Sequence, residues 1–166
     1  MSNLFELATI VGQRLKDRGL MLATAESCTG GGVAQTITEI AGSSDWFECG
    51  FVTYSNESKI ALLKVSEMLL ARHGAVSQDT AAAMCQGALA NSRATVALST
   101  TGIAGPSGGV PGKPVGMVCF GWALGEQLHV EEMIFSGDRH SVREQSIEHA
   151  LQGLLAFLDT TAEATV

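Results

Sequence analysis

The chain has 166 residues, 46% of them hydrophobic, and a formal net charge of −7. That length suits one domain with a full core, and no apolar run approaches the roughly 18 residues a bilayer span needs, so the chain reads as soluble with no membrane partner. The ten Lys and Arg residues are scattered, which excludes a basic nucleic-acid face but leaves room for a local basic pocket.

The start, Met1-Ser2-Asn3-Leu4, lacks the basic and apolar regions of an export signal. Cys28, Cys49, Cys85 and Cys119 show no C-x-x-C spacing, which argues against a structural zinc site. Reduced thiols without an export signal imply the cytoplasm. No metal and no cofactor are expected.

Leu4, Leu7, Ala8, Val11 and Leu15 recur at helical spacing, and Gly19 stops that first helix. Residues 20–25 form a short apolar run that reads as a buried strand. A helix over 31–41 follows, then a turn at Gly42-Ser43-Ser44-Asp45. Residues 46–53 read as the second strand. Ser55 or Asn56 caps a helix over 57–64, and Ser66 caps a short one that ends at Gly74. Ser77 starts a longer helix with Ala81, Met84, Cys85 and Ala88 on its inner side. A strand over 94–100, a Gly/Pro loop over 102–112 and two strands over 114–124 and 128–135 come next. A helix over 141–158 closes the fold. Helices and strands intermix without repeats, which predicts an α/β fold: a three-layer α/β/α sandwich on a mixed β-sheet. One domain is expected over residues 1–158, with a polar, disordered tail over 159–166.

Four clusters fall at the ends of predicted strands, where open α/β sheets bind ligands. In the first, Ala23-Thr24-Ala25-Glu26-Ser27-Cys28-Thr29-Gly30-Gly31-Gly32, a strand meets a helix start through a small-residue turn. Unpaired N–H groups there suit an anion or a nucleophile beside a developing oxyanion. A packing turn is the plainer alternative, and Cys28 is a rival nucleophile.

The second cluster is Tyr54-Ser55-Asn56-Glu57-Ser58-Lys59, with the only tyrosine of the chain. A lysine in the first turn of a helix opposes the macrodipole, which favours a general base with a lowered pKa over a solvated surface amine. The third is Thr100-Thr101-Gly102-Ile103-Ala104-Gly105-Pro106-Ser107-Gly108-Gly109, leading to Gly112-Lys113-Pro114. A P-loop is ruled out, because Ser107 stands where glycine is required and Pro114 replaces the metal-binding hydroxyl. The loop remains either a wrap for an anion or flat ligand, or a plain connection. The fourth, Gly137-Asp138-Arg139-His140-Ser141-Val142-Arg143, sets two arginines one turn apart at a helix start, as a phosphate site or as partners of Asp138. The four histidines build no Ser-His-Asp pattern, which favours Ser–Lys chemistry.

These motifs, with Gly74-Ala75-Val76-Ser77 and Lys113-Pro114-Val115-Gly116, together resemble the CinA C-terminal domain family from about Leu4 to Leu158. Its characterised enzymes are nicotinamide-mononucleotide (NMN) deamidases, and the chain resembles their stand-alone form. The resemblance implies an α/β/α sandwich and an amidohydrolase that turns NMN and water into nicotinate mononucleotide and ammonia, in pyridine-nucleotide recycling. It implies Ser27 as nucleophile, Lys59 as base and Tyr54 as their assistant. Backbone groups of Thr29, Gly30 and Gly31 are expected at the oxyanion, Thr101 and Gly102 at the substrate, and Arg143 with Arg139 at the 5′-phosphate. The small-molecule substrate is the expected partner, in a homo-oligomer. A silent nucleotide-binding module and an amidase for another pyridine or nucleoside carboxamide are the alternatives.

Overall fold

The computed structural model describes residues 3–161. Six α-helices and five strands follow in the order α1 (Leu4–Asp17), β1 (Leu22–Glu26), α2 (Gly32–Thr38), β2 (Phe47–Val52), α3 (Asn56–Leu63), α4 (Glu67–His73), α5 (Gln78–Ala90), β3 (Val96–Gly102), β4 (Met117–Leu124), β5 (Gln127–Ile134) and α6 (Arg139–Thr160). The sheet order is β2-β1-β3-β4-β5. β1 runs parallel to β2 and β3, and the β3–β4 and β4–β5 pairs are antiparallel. The sheet is therefore mixed, and β1, β2, β3 and β5 all end at one edge.

Alternation along the strands builds two unlike faces. Leu22, Val96, Leu98, Phe120 and Trp122 share a core with Val11 and Leu15 of α1, Val33 and Ile37 of α2, and Leu151 and Leu154 of α6. Ala23, Ala25, Ala97 and Ala123 face Leu63, Met84, Cys85 and Ala88 on the other side. Three layers result, as the sequence predicts. The small second face lets α5 lie close: a Cβ on Gly121 would stand 2.8 Å from the Ala81 carbonyl oxygen.

Ser55, Ser66, Ser77 and Asp138 cap α3, α4, α5 and α6 by accepting N–H bonds from Ser58, Leu69, Thr80 and Ser141. Some expected boundaries move. α2 stops at Thr38 rather than residue 41, and a 3₁₀ turn at Ser43–Asp45 leads into β2. β4 begins at Met117 rather than 114, because Val110 and Lys113 exchange backbone bonds in a turn of their own. With Asp138 as cap, α6 starts at Arg139 and continues to Thr160, two residues beyond the expected end at 158. Residues 162–166 of the expected tail lie outside the described residues. Among the described residues no helix is long and apolar enough to cross a membrane.

The contact between α3 and α5 is set by Gly87, where a Cβ would fall 2.1 Å from the Leu63 carbonyl oxygen. Gly87→Ala gains helix propensity yet forces the two helices apart. It is expected to lower the stability read by urea unfolding by about 1–3 kcal/mol.

Candidate active site

The carboxyl ends of β1, β2 and β3 converge on a cleft of about 340 Å³, a volume within the range of small-molecule sites. A larger groove of about 430 Å³ between β5 and α6 contains no pairing of a nucleophile with a base. The Ser27–Lys59 pair lies in the smaller cleft.

Ser27 follows β1 directly. Its N–H donates to the Thr100 carbonyl at 2.9 Å, and its carbonyl accepts the Gly30 N–H at 3.0 Å. The main chain is thus fixed on both sides of the hydroxyl. Lys59 comes from the first turn of α3, behind the Ser55 cap. Its Nζ lies 2.9 Å from Ser27 Oγ, 2.9 Å from the Thr53 carbonyl oxygen and 3.2 Å from that of Tyr54. Lys59 is 1% exposed, and no ion pair reaches it among the described residues. Burial disfavours the ammonium and pulls its pKa below the ordinary lysine value, against a weaker raising influence of Cys28.

Nζ donates to the Thr53 and Tyr54 carbonyls and to Ser27 Oγ, and the Ser27 hydroxyl lies 3.5 Å from the Tyr54 carbonyl oxygen. Cys28, the rival nucleophile, also lines the cleft. Burial, with a smaller contribution from the Glu26 charge, pushes its thiol up to about 12. At neutral pH it stays protonated, and a thiol is a poor nucleophile.

Glu26 is fully buried beneath the turn. Its carboxylate accepts the Thr29 hydroxyl at 2.5 Å, the Val33 N–H at 2.8 Å and the Ala34 N–H at 3.0 Å. Thr29 Oγ1 also lies 2.8 Å from Thr100 Oγ1. The turn needs left-handed backbone at Gly30 and Gly31, with φ values of 60° and 96°.

The structure gathers Ser27, Lys59, Tyr54, Thr101, Gly102 and Arg139 around the cleft. Tyr54 meets the amine through its carbonyl. The residue is 62% exposed, and its hydroxyl accepts a bond from Arg139 at 3.1 Å. Arg139 also donates to the Gly105 carbonyl at 2.8 Å, bridging two loops at the mouth. The Thr101 hydroxyl donates to the Ala75 carbonyl at 2.7 Å and fixes the opposite wall.

Thr29, Gly30, Gly31 and Arg143 do not line the cleft. The Gly30 N–H is committed to Ser27, so it is not an oxyanion donor, and the Thr29 side chain is buried in the Glu26 network. Arg143 donates to the carbonyls of Cys28 and Thr29 at 3.1 and 3.3 Å. It ties α6 to the turn that follows β1. Glu26, Ala75, Val76 and Ser107 received no role from the sequence. For Glu26 the signal was available: a lone carboxylate closing an apolar strand. Among the described residues, no cluster of His, Cys, Asp or Glu is placed to hold a metal ion.

A three-layer α/β/α sandwich with a buried serine–lysine pair, in a crevice at its strand ends, defines the class of the molecule. The profile of the CinA C-terminal domain matches residues 4–158, and the chain belongs to that family. It is 55% identical over 163 residues to nicotinamide-nucleotide amidohydrolase PncC of Escherichia coli (strain K12), covering 96% of this chain and 98% of that protein. It is 48% identical over 155 residues to the protein of the same name in Pseudomonas putida, covering 93% and 97%. The solved structure of competence/damage inducible protein CihA from Agrobacterium tumefaciens superposes with a TM-score of 0.91 at 42% identity, covering 95% of this chain and 96% of that one.

The raised Cys28 pKa yields a test. Iodoacetamide at pH 8 should leave Cys28 unmodified in the folded protein, as read by peptide mass mapping. Rapid alkylation there would contradict the buried, protonated thiol.

Proposed function

We propose that this protein is an amidohydrolase that converts NMN and water to nicotinate mononucleotide and ammonia. The observation that carries the reading is the 2.9 Å contact between a buried Lys59 amine, without an ion pair among the described residues, and Ser27 Oγ. Near full-length similarity to nicotinamide-nucleotide amidohydrolases supports the substrate. The four free cysteines support a reducing, cytoplasmic setting, and the reaction suits pyridine-nucleotide recycling.

Neutral Lys59 takes the Ser27 proton as Oγ attacks the carboxamide carbon. The developing oxyanion is held by the main-chain N–H of Cys28, the residue of that turn which lines the cleft beside Ser27. The Lys59 ammonium returns its proton to the departing nitrogen, and ammonia leaves a nicotinoyl ester on Ser27. Lys59 then deprotonates a water that attacks the ester, which releases nicotinate mononucleotide and restores the serine. Arg139 and the N–H groups of the Ser107-Gly108 stretch receive the phosphate at the mouth, while Arg143 holds the turn.

Ammonia release from NMN is the experiment. Ser27→Ala should lower kcat by about 10³-fold or more. Lys59→Arg should do the same, because a guanidinium is no base near neutrality. Since the active amine is unprotonated, kcat/KM should rise about tenfold per pH unit on the acid side and level off above the lowered Lys59 pKa. Nicotinamide riboside, without the phosphate, should show a raised KM. Wild-type turnover in Ser27→Ala would overturn the assignment.

A further inference from the structure

We propose that Glu26 is a positioning residue of this reaction: it holds the Ser27 hydroxyl and the Lys59 amine in register from one buried point. The inference rests on the reading of Ser27 and Lys59 as the reacting pair. The Glu26 main chain sits within the sheet between Val52 and Thr100, and its carbonyl accepts the Thr53 N–H at 2.9 Å. Thr53 in turn offers its carbonyl to Lys59 Nζ at 2.9 Å. The same residue's carboxylate holds Thr29, Val33 and Ala34, and so fixes the far end of the turn that begins at Ser27. One residue therefore joins the lysine's support to the serine's.

A plain helix cap does not account for this arrangement. Caps are ordinarily short polar side chains at the N-cap itself. Here that position is Gly31 in left-handed backbone, with no side-chain cap. A serine or aspartate there would be strained at φ 96°. The capping acceptor instead comes from a strand, at the cost of burying a carboxylate with no cation beside it among the described residues, which is destabilising unless its hydrogen bonds are fully met. A rigid post in the sheet fixes the turn more tightly than a local cap would. Displacing a nucleophile by about 1 Å from its base can reduce turnover about 100-fold.

The test compares Glu26→Gln and Glu26→Asp with wild type in the full chain, with circular dichroism confirming the fold. Glu26→Gln loses the charge and one of the two acceptor oxygens, and Glu26→Asp keeps the charge but withdraws it from the turn. Both should lower kcat for NMN about 10- to 100-fold with KM within about twofold. The rate at which a fluorophosphonate labels Ser27 should fall in parallel. Folded variants with wild-type kcat, or a loss confined to KM, would overturn the proposal. Should Glu26→Gln not fold, Thr29→Val decides: a loss in kcat restored by Thr29→Ser supports the network, and unchanged kcat refutes it. A wild-type protein that is labelled at Ser27 but releases no ammonia from NMN would count against the substrate reading alone, and labelling rates would still decide the role of Glu26.

Discussion

Burying a lysine amine without a carboxylate is the constraint on which the rest of the site depends. An ammonium with no counter-ion is poorly tolerated in a low-dielectric interior, so the environment favours the neutral base. A paired carboxylate would raise the pKa and disable the base. The Lys59 amine is met instead by main-chain carbonyls of Thr53 and Tyr54, dipoles that cannot be titrated away. The neighbouring thiol is subject to the same desolvation in the opposite sense. Burial that lowers the Lys59 pKa also keeps Cys28 protonated by raising its own. In the proposed reaction, one dry environment therefore favours serine over cysteine as the nucleophile.

The fold supplies that environment through the unequal faces of its sheet. Alanines and Gly121 on one face let the α3–α5 layer settle close, so that Lys59 reaches Ser27 while buried. The bulky face, with Phe120 and Trp122, anchors α6, and α6 returns Arg143 to the carbonyls of Cys28 and Thr29. The turn after Ser27 is thus held from the sheet by Glu26 and from the outer helix by Arg143. The mouth is bridged by Arg139, Tyr54 and Gly105.

Much of this was legible in the chain. Apolar periodicity and serine caps placed the helices, because those signals act locally. Small and glycine residues at strand ends marked the four clusters, and the parallel strands brought three of those ends to one cleft. What escaped was the division of labour inside each cluster. Arg139 and Arg143 share a helix start and one helix face, yet one lines the cleft and the other meets the turn, a difference set by the ~6 Å rise between them along α6. Tyr54 meets the amine through its carbonyl, a group every residue carries, so its residue type gives no sign of that contact. Glu26 looked like part of a motif, and its partners at Val33 and Ala34 became visible only once the turn was folded. Residue type indicates what a side chain is able to do; packing decides which of its atoms does it.

The central claim is that Lys59 is a neutral base at the pH of turnover. Site-resolved NMR titration of the Lys59 side chain, assigned with Lys59→Arg as reference, measures this directly. The account predicts a midpoint well below the ordinary lysine value of about 10.4. A midpoint at or above that value would contradict it.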